Sequence, residues 1–242
     1  MMFRICLILS LSVFSFYAAI AAPLKVPLRD GYQLAAELLL PQSSKGAVLL
    51  LHQCNRDRKM WAPVVRLLNE RAFSTMTVDA RGFGESKSEQ FNIALSDEAY
   101  DKATAHFPTD AHDIYGVWTT QTSKAKIRAV VGASCGGAMA SRLAGDYKDI
   151  TALVLFSPAL RPYWFEEERW PPLHARKEMP ILGIVSIGDT NSLIGVMRAV
   201  NASEAERTEF IRYNGRRHGE PLFGFDPSLP DKIAIWIEGA LH

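Results

Sequence analysis

Ile127 to Val131 is a short apolar run rich in β-branched residues, and it leads directly into Gly132-Ala133-Ser134-Cys135-Gly136-Gly137. Such a run suits a buried strand. The residues that follow, Ala138-Met139-Ala140-Ser141-Arg142-Leu143-Ala144, suit a helix, with Met139 and Leu143 four apart and small alanines that allow close packing. Strand, sharp turn and helix leave Ser134 on the turn, in a strained backbone conformation. A side chain at Gly132 or Gly136 would there collide with the neighbouring strand or helix. The serine hydroxyl is exposed at the positive end of a helix, where developing negative charge is stabilised. A tight turn with a capping serine is the plainer meaning of the same letters, and a short motif alone does not separate the two.

The rest of the chain alternates in the way such a unit requires. Arg29-Asp30-Gly31-Tyr32 lies between two apolar-bearing runs within Leu24 to Leu40, a hairpin signal. Gly46 to His52 reads as a buried strand. Lys59 to Phe73 reads as a helix with Trp61, Val64, Val65 and Leu68 on one face, and Ser74 to Val78 as the next strand. Residues 87–107 are polar and irregular, with room for a short helix. Ile114, Val117 and Trp118 mark a helix before the central strand. Beyond it come a strand at Thr151 to Phe156, a strand at Pro180 to Ile187, a helix bearing Leu193, Val196, Met197 and Val200, and a strand at Glu209 to Tyr213. A final helix starts at Pro230, with Ile233, Trp236, Ile237 and Leu241 on its buried face. Buried apolar strands alternating with helices predict an α/β fold: a mostly parallel central sheet with helices on both faces. The stretch around 158–179, with Tyr163, Trp164, Phe165 and Trp170, reads as a short cap or loop insertion. Those aromatics either line a substrate pocket or pack on the sheet.

A length of 242 residues with 48% hydrophobic content fits one large domain with a real core. Arg4 followed by an apolar, serine-dotted stretch to Ile20, and then the small-x-small site Ala19-Ile20-Ala21, reads as a signal peptide over 1–21, so 22–242 is read as a single domain. An uncleaved anchor is the alternative. Removing 1–21 takes Arg4 and no acid, so Lys+Arg falls from 27 to 26 against 26 Asp+Glu. A neutral chain without a basic run gives no electrostatic case for nucleic acid. The expected location is exported, periplasmic or secreted, without stable membrane association once the signal is removed.

With these residues in place, the chain from about 25 to 242 resembles the α/β-hydrolase superfamily, and within it the small single-domain, dienelactone-hydrolase-like group. The family pattern has a strand ending in His-Gly, and here that place is held by Leu50-Leu51-His52-Gln53-Cys54. The Asp-x-Arg-Gly-x-Gly-x-Ser loop is matched at every fixed position by Asp79 to Ser86. The nucleophile turn is matched at Ser134, the acid after the second following strand by Gly188-Asp189, and the histidine after the last strand by His218-Gly219. The chain order Ser…Asp…His is the family's own. The resemblance implies a catalytic set of Ser134 as nucleophile, His218 as general base and acid, and Asp189 holding the imidazole. It also implies an oxyanion hole from the backbone N–H of Cys135 and of Gln53, or alternatively Cys54.

Two residues depart from the group. Dienelactone hydrolases carry cysteine where Ser134 stands, which favours an ordinary serine hydrolase, and Gln53 replaces a glycine, making the oxyanion loop bulkier.

Plainer roles compete for several positions. Asp189 could merely cap a helix, and His218 beside Arg216 and Arg217 could be a solvated loop residue. Asp110 and Asp113 are rival acids, wrongly placed on the helix before Ser134. His52, Asp79 and Arg81 read as bracing, and His106, His112, His174 and His242 as surface residues. His106 and His112 with Asp110 and Asp113 have no recognised metal-ligand spacing. Cys54 and Cys135 read more simply as two buried thiols; a disulfide requires their Cα atoms within about 7 Å. No cofactor or metal is implied. The expected activity is hydrolysis of a small or medium carboxylic ester through an acyl-enzyme, the expected partner a small-molecule ester. A peptidase or amidase of the same fold, and a catalytically silent binding protein, are the other readings.

Overall fold

The computed structural model describes residues 21–159 and 175–241. Most of the expected signal peptide, residues 160–174 of the expected insertion with its four aromatics, His174 and His242 lie outside them.

Eight strands form one sheet: β1 (Ala21–Pro27), β2 (Gln33–Leu39), β3 (Gly46–Leu51), β4 (Phe73–Val78), β5 (Arg128–Ala133), β6 (Ile150–Phe156), β7 (Ile181–Ser186) and β8 (Glu209–Tyr213). Their order is β1-β2-β4-β3-β5-β6-β7-β8. The pairs β1–β2 and β2–β4 are antiparallel, and all the rest are parallel. The β1–β2 hairpin closes where expected, with Gly31 at φ +86° and the Gly31 N–H donating to Leu28 O. Every residue of β3, β4, β5 and β7 is buried, as strands covered on both faces must be.

The helices are α1 (Ala62–Glu70), α2 (Asp97–Thr104), α3 (Phe107–Gln121), α4 (Cys135–Asp146), α5 (Thr190–Ala202), α6 (Pro221–Phe225) and α7 (Leu229–Ala240). Side-chain alternation along the strands feeds two cores. Leu49, Leu51, Val130, Leu153 and Leu155 point to the face covered by α3, α4 and α5, through Ile114, Trp118, Met139, Leu143, Val196 and Ala199. Val48, Leu50, Val131, Val154 and Phe156 point to the face covered by α1 and α7, through Val64, Leu68, Ile233 and Ile237.

One local expectation is corrected. The helix expected from Lys59 starts as a 3₁₀ turn, Arg58–Trp61, and ends before Phe73, because Ala72 at φ +63° stops it and Phe73 opens β4. Along α5, Ser192, Gly195, Val196 and Ala199 are buried, Leu193 and Val200 pack partly buried against the core, and Met197 is 44% exposed. The short α6 has no counterpart in the sequence reading.

Candidate active site

The C-terminal ends of the parallel strands converge on one edge of the sheet, the place where open α/β sheets hold their sites. Ser134 follows β5, Asp189 follows β7, His218 follows β8, and His52-Gln53-Cys54 follows β3, the strand beside β5.

Ser134 sits between β5 and α4 at φ +51°, ψ −118°, a conformation rare for any residue with a side chain. The glycines around it allow the turn. A Cβ on Gly132 would lie 2.2 Å from the Gly136 carbonyl oxygen, and one on Gly136 would lie 2.3 Å from the Leu51 carbonyl oxygen. Helix α4 thus presses against the end of β3 with no room for a methyl group.

The three residues make one hydrogen-bonded chain. His218 Nε2 is 2.8 Å from Ser134 Oγ, and His218 Nδ1 is 2.8 Å from Asp189 Oδ2. A carboxylate only accepts, so Nδ1 carries the ring proton and Nε2 is left to accept from the serine hydroxyl. Ser192 Oγ, from the first turn of α5, lies 3.4 Å from Nδ1 on the same side as Asp189. Asp189 occupies the cap position of α5 but makes no side-chain cap bond. Its carboxylate is directed to the histidine instead. His218 is engaged at both nitrogens although its side chain is 38% exposed.

The rival groups are committed elsewhere. Asp110 grips Arg81 through two bonds of 2.9 and 2.8 Å, and Asp113 grips Arg29. His112 bonds Tyr147 Oη and accepts from Arg142. Arg81, packed between the rings of Tyr32 and Phe91, ties the loop after β4 to α3 and the hairpin, and Asp30 completes its ion pairs. Asp79 accepts from the N–H of Arg58 and of Glu85 and pairs with the Arg58 guanidinium. Asp79 and Arg81 therefore brace loops, as expected. Among the described residues no three His, Cys, Asp or Glu side chains gather in a way that could hold a metal ion.

His52 lies beneath the loop after β3. Its Nε2 accepts from the Ala80 N–H at 2.9 Å, so Nδ1 donates to the Gln53 carbonyl at 2.8 Å. Burial pushes its pKa down, which keeps the ring neutral in this bridging tautomer. The Gln53 side chain, absent from the sequence reading as a contact, reaches the histidine segment: its Oε1 accepts from the Glu220 N–H at 2.8 Å, and Arg56 pairs with Glu220 at 3.1 Å. Gly219, at φ +67°, makes room for it, since a Cβ there would lie 2.0 Å from Gln53 Oε1. The Gln53 N–H points at Met60 Sδ, 3.4 Å away. Neither the Ser192 nor the Gln53 contact carries a sequence signal, for both partners are distant in the chain.

Cys54 and Cys135 are joined by a disulfide, with Cα atoms 5.7 Å apart. This corrects the simpler expectation of two free thiols. Adjacent strands β3 and β5 deliver both cysteines to the same place, and the glycine-mediated contact of α4 with the end of β3 brings their backbones within bridging distance.

A family model described as "Serine aminopeptidase, S33" matches residues 42–186, from just before β3 to the end of β7. No curated protein sequence matches the chain. Among solved structures, a thermostable carboxyl esterase from Bacillus coagulans superposes with a TM-score of 0.70 at 12% identity, covering 93% of this chain and 100% of that one. A dienelactone hydrolase from Anabaena variabilis gives 0.65 at 18% identity, covering 91% and 98%. A Pyrococcus furiosus esterase gives 0.63 at 15% identity, covering 93% and 92%. At these identities the likeness is one of fold.

Proposed function

The chain belongs to the serine aminopeptidase family of α/β hydrolases, and on that premise we propose that it is a serine hydrolase cleaving a small or medium carboxylic ester through an acyl-enzyme. The observation that carries this is the continuous Ser134–His218–Asp189 chain, with both bonds at 2.8 Å.

The chemistry follows from that chain. A serine hydroxyl is a weak nucleophile at neutral pH and needs a base in hydrogen-bond reach. His218 Nε2 takes the proton as Ser134 Oγ bonds to the ester carbonyl carbon. Asp189 keeps the proton on Nδ1 and stabilises the imidazolium. When the intermediate collapses, the carbon–oxygen bond to the alcohol breaks and the alcohol departs with the proton from Nε2. Water then attacks the acyl-serine, giving up its proton to Nε2. The carboxylic acid leaves and Ser134 regains its hydrogen.

The oxyanion needs two donors. Cys135, first residue of α4, has an N–H with no acceptor inside the helix. In the loop after β3 the Gln53 N–H already faces Met60 Sδ, which favours Cys54 as the second donor.

The test is hydrolysis of p-nitrophenyl esters of graded acyl length by wild type and Ser134→Ala. Turnover by wild type with a loss of at least about 10³-fold in the variant is expected. Equal activity in both would sink the assignment. The family's description names an aminopeptidase, so amide cleavage is the second reading; aminoacyl p-nitroanilides in the same assay separate the two.

Export is part of the same proposal. The apolar segment behind Arg4 supports it, and so does the disulfide, a bond that persists in oxidising compartments.

A further inference from the structure

The two residues whose N–H groups are read above as the oxyanion donors, Cys54 and Cys135, are the two residues that the disulfide joins. They come from separate segments, 81 positions apart in sequence. One sits in the loop after β3 and the other opens α4 immediately behind Ser134. We propose that the disulfide is a positioning element of the active site: it sets the separation and mutual aim of the two oxyanion donors, beyond any role as a crosslink. The inference rests on the serine-hydrolase reading and deepens it.

The argument is one of attachment. An oxyanion hole works only when both donors stand at about 2.7–3.1 Å from the same point before the charge develops. The Cys135 donor is rigid, because α4 is seated on the end of β3 through Gly136 and on β5 through Gly132. The loop donor is held differently. Gln53 Oε1 and Arg56 fasten the loop to Glu220, on the segment that carries His218, and not to Ser134. Gln53 also stands where the family has glycine, so the loop carries a side chain that must be anchored. The covalent link from the loop to the residue behind the nucleophile is the sulfur bridge, beside the packing of Gly136 on the His52 carbonyl at the loop's base. Cys135 is 2% exposed, and its Sγ packs 3.8 Å from the His52 carbonyl oxygen, so the bridge lies inside the wall of the site. Without it, Cys54 would keep only the loop's noncovalent ties, to Ala80 through His52, to Met60 through the Gln53 N–H and to Glu220 through Gln53 and Arg56, while the Cys135 donor stayed with α4.

The experiment compares wild type with the Cys54→Ala/Cys135→Ala double variant, well below the unfolding temperature of either. It measures kcat and KM on a p-nitrophenyl ester, inhibition by an alkylboronic acid that forms a tetrahedral adduct on serine, and inhibition by the carboxylic acid product. The expected result is a kcat lower by about ten- to a hundredfold, less than the loss of a donor outright. KM and product inhibition should stay within about threefold, and boronate affinity should weaken by about the same factor as kcat. Should the double variant not fold, the folded wild type reduced until two further thiols appear gives the same comparison, and reoxidation should restore kcat. An active variant whose kcat and boronate affinity stay within twofold of wild type, whatever its melting temperature, would overturn the proposal and leave a plain crosslink. Wild-type protein that cleaves no ester and is not labelled at Ser134 by a fluorophosphonate would overturn the serine-hydrolase reading itself, and the inference with it.

Discussion

Asp189 stands where a capping residue would serve α5, yet it bonds His218 instead. Asp189→Asn keeps the volume and removes the charge. Its amide can also present N–H to Nδ1, which puts the ring proton on Nε2, where the base must be free. The expected result is a kcat lower by about 10³- to 10⁴-fold on a p-nitrophenyl ester, with KM changed little. Ser134, Asp189 and His218 were legible because each closes a strand and falls in a motif whose residue types follow from the chemistry. Gln53 and Ser192 were not. The Gln53 side chain meets Glu220, 167 positions later, and Ser192 meets His218, 26 positions later, so only folding makes them neighbours. Cys135 was read as a backbone donor, and its sulfur remained ambiguous for the same reason: a spacing of 81 residues says nothing about Cα distance.

At the scale of elements, Asp226 joins three of them. Its carboxylate accepts from Tyr213 at the end of β8, from Ser228, and from Lys232 of α7, at 2.6, 2.5 and 2.7 Å. The Lys232 ammonium above all, then Ser228 and Tyr213, hold its pKa well below the usual carboxylate range. A depressed folded pKa gives stability that is complete above the unfolded value, about 4, and is lost as pH falls through the folded value. Asp226→Asn should therefore melt below wild type at pH 7, and the gap should close as pH drops below about 4; a gap constant from pH 7 to 2 would remove the charge from the account. The strands were read well where both faces are buried, as in β3 and β5, since continuous apolar runs need no periodicity to be seen. The packed face of α5 leaves less trace in the sequence, because small residues, Ser192, Gly195 and Ala199, let it approach β7. A Cβ on Gly183 would lie 2.3 Å from Val196 Cγ1. Gly183→Ala should cost about 1–3 kcal/mol, read by chemical denaturation, as β7 and α5 are pushed apart.

The whole molecule is a sheet that gathers its chemistry at one edge and fastens that edge twice, by the disulfide between the loop after β3 and α4 and by Gln53 between the same loop and the histidine segment. Fold class was readable from the alternation of buried strands with helices, and from the order of serine, aspartate and histidine along it. The hairpin partner of β2 was legible from Asp30-Gly31, although the place of β1 at the sheet's edge, next to a strand antiparallel to β4, depends on long-range pairing that no local pattern encodes. The central claim is that Ser134 carries the acyl group during turnover. It is tested most directly by quenching the protein in acid during hydrolysis of p-nitrophenyl butyrate and sequencing its peptides by mass spectrometry. A single butyryl group on Ser134, absent from Ser134→Ala, is the predicted result. A butyryl group on another residue, or steady turnover with Ser134 never acylated, would contradict it.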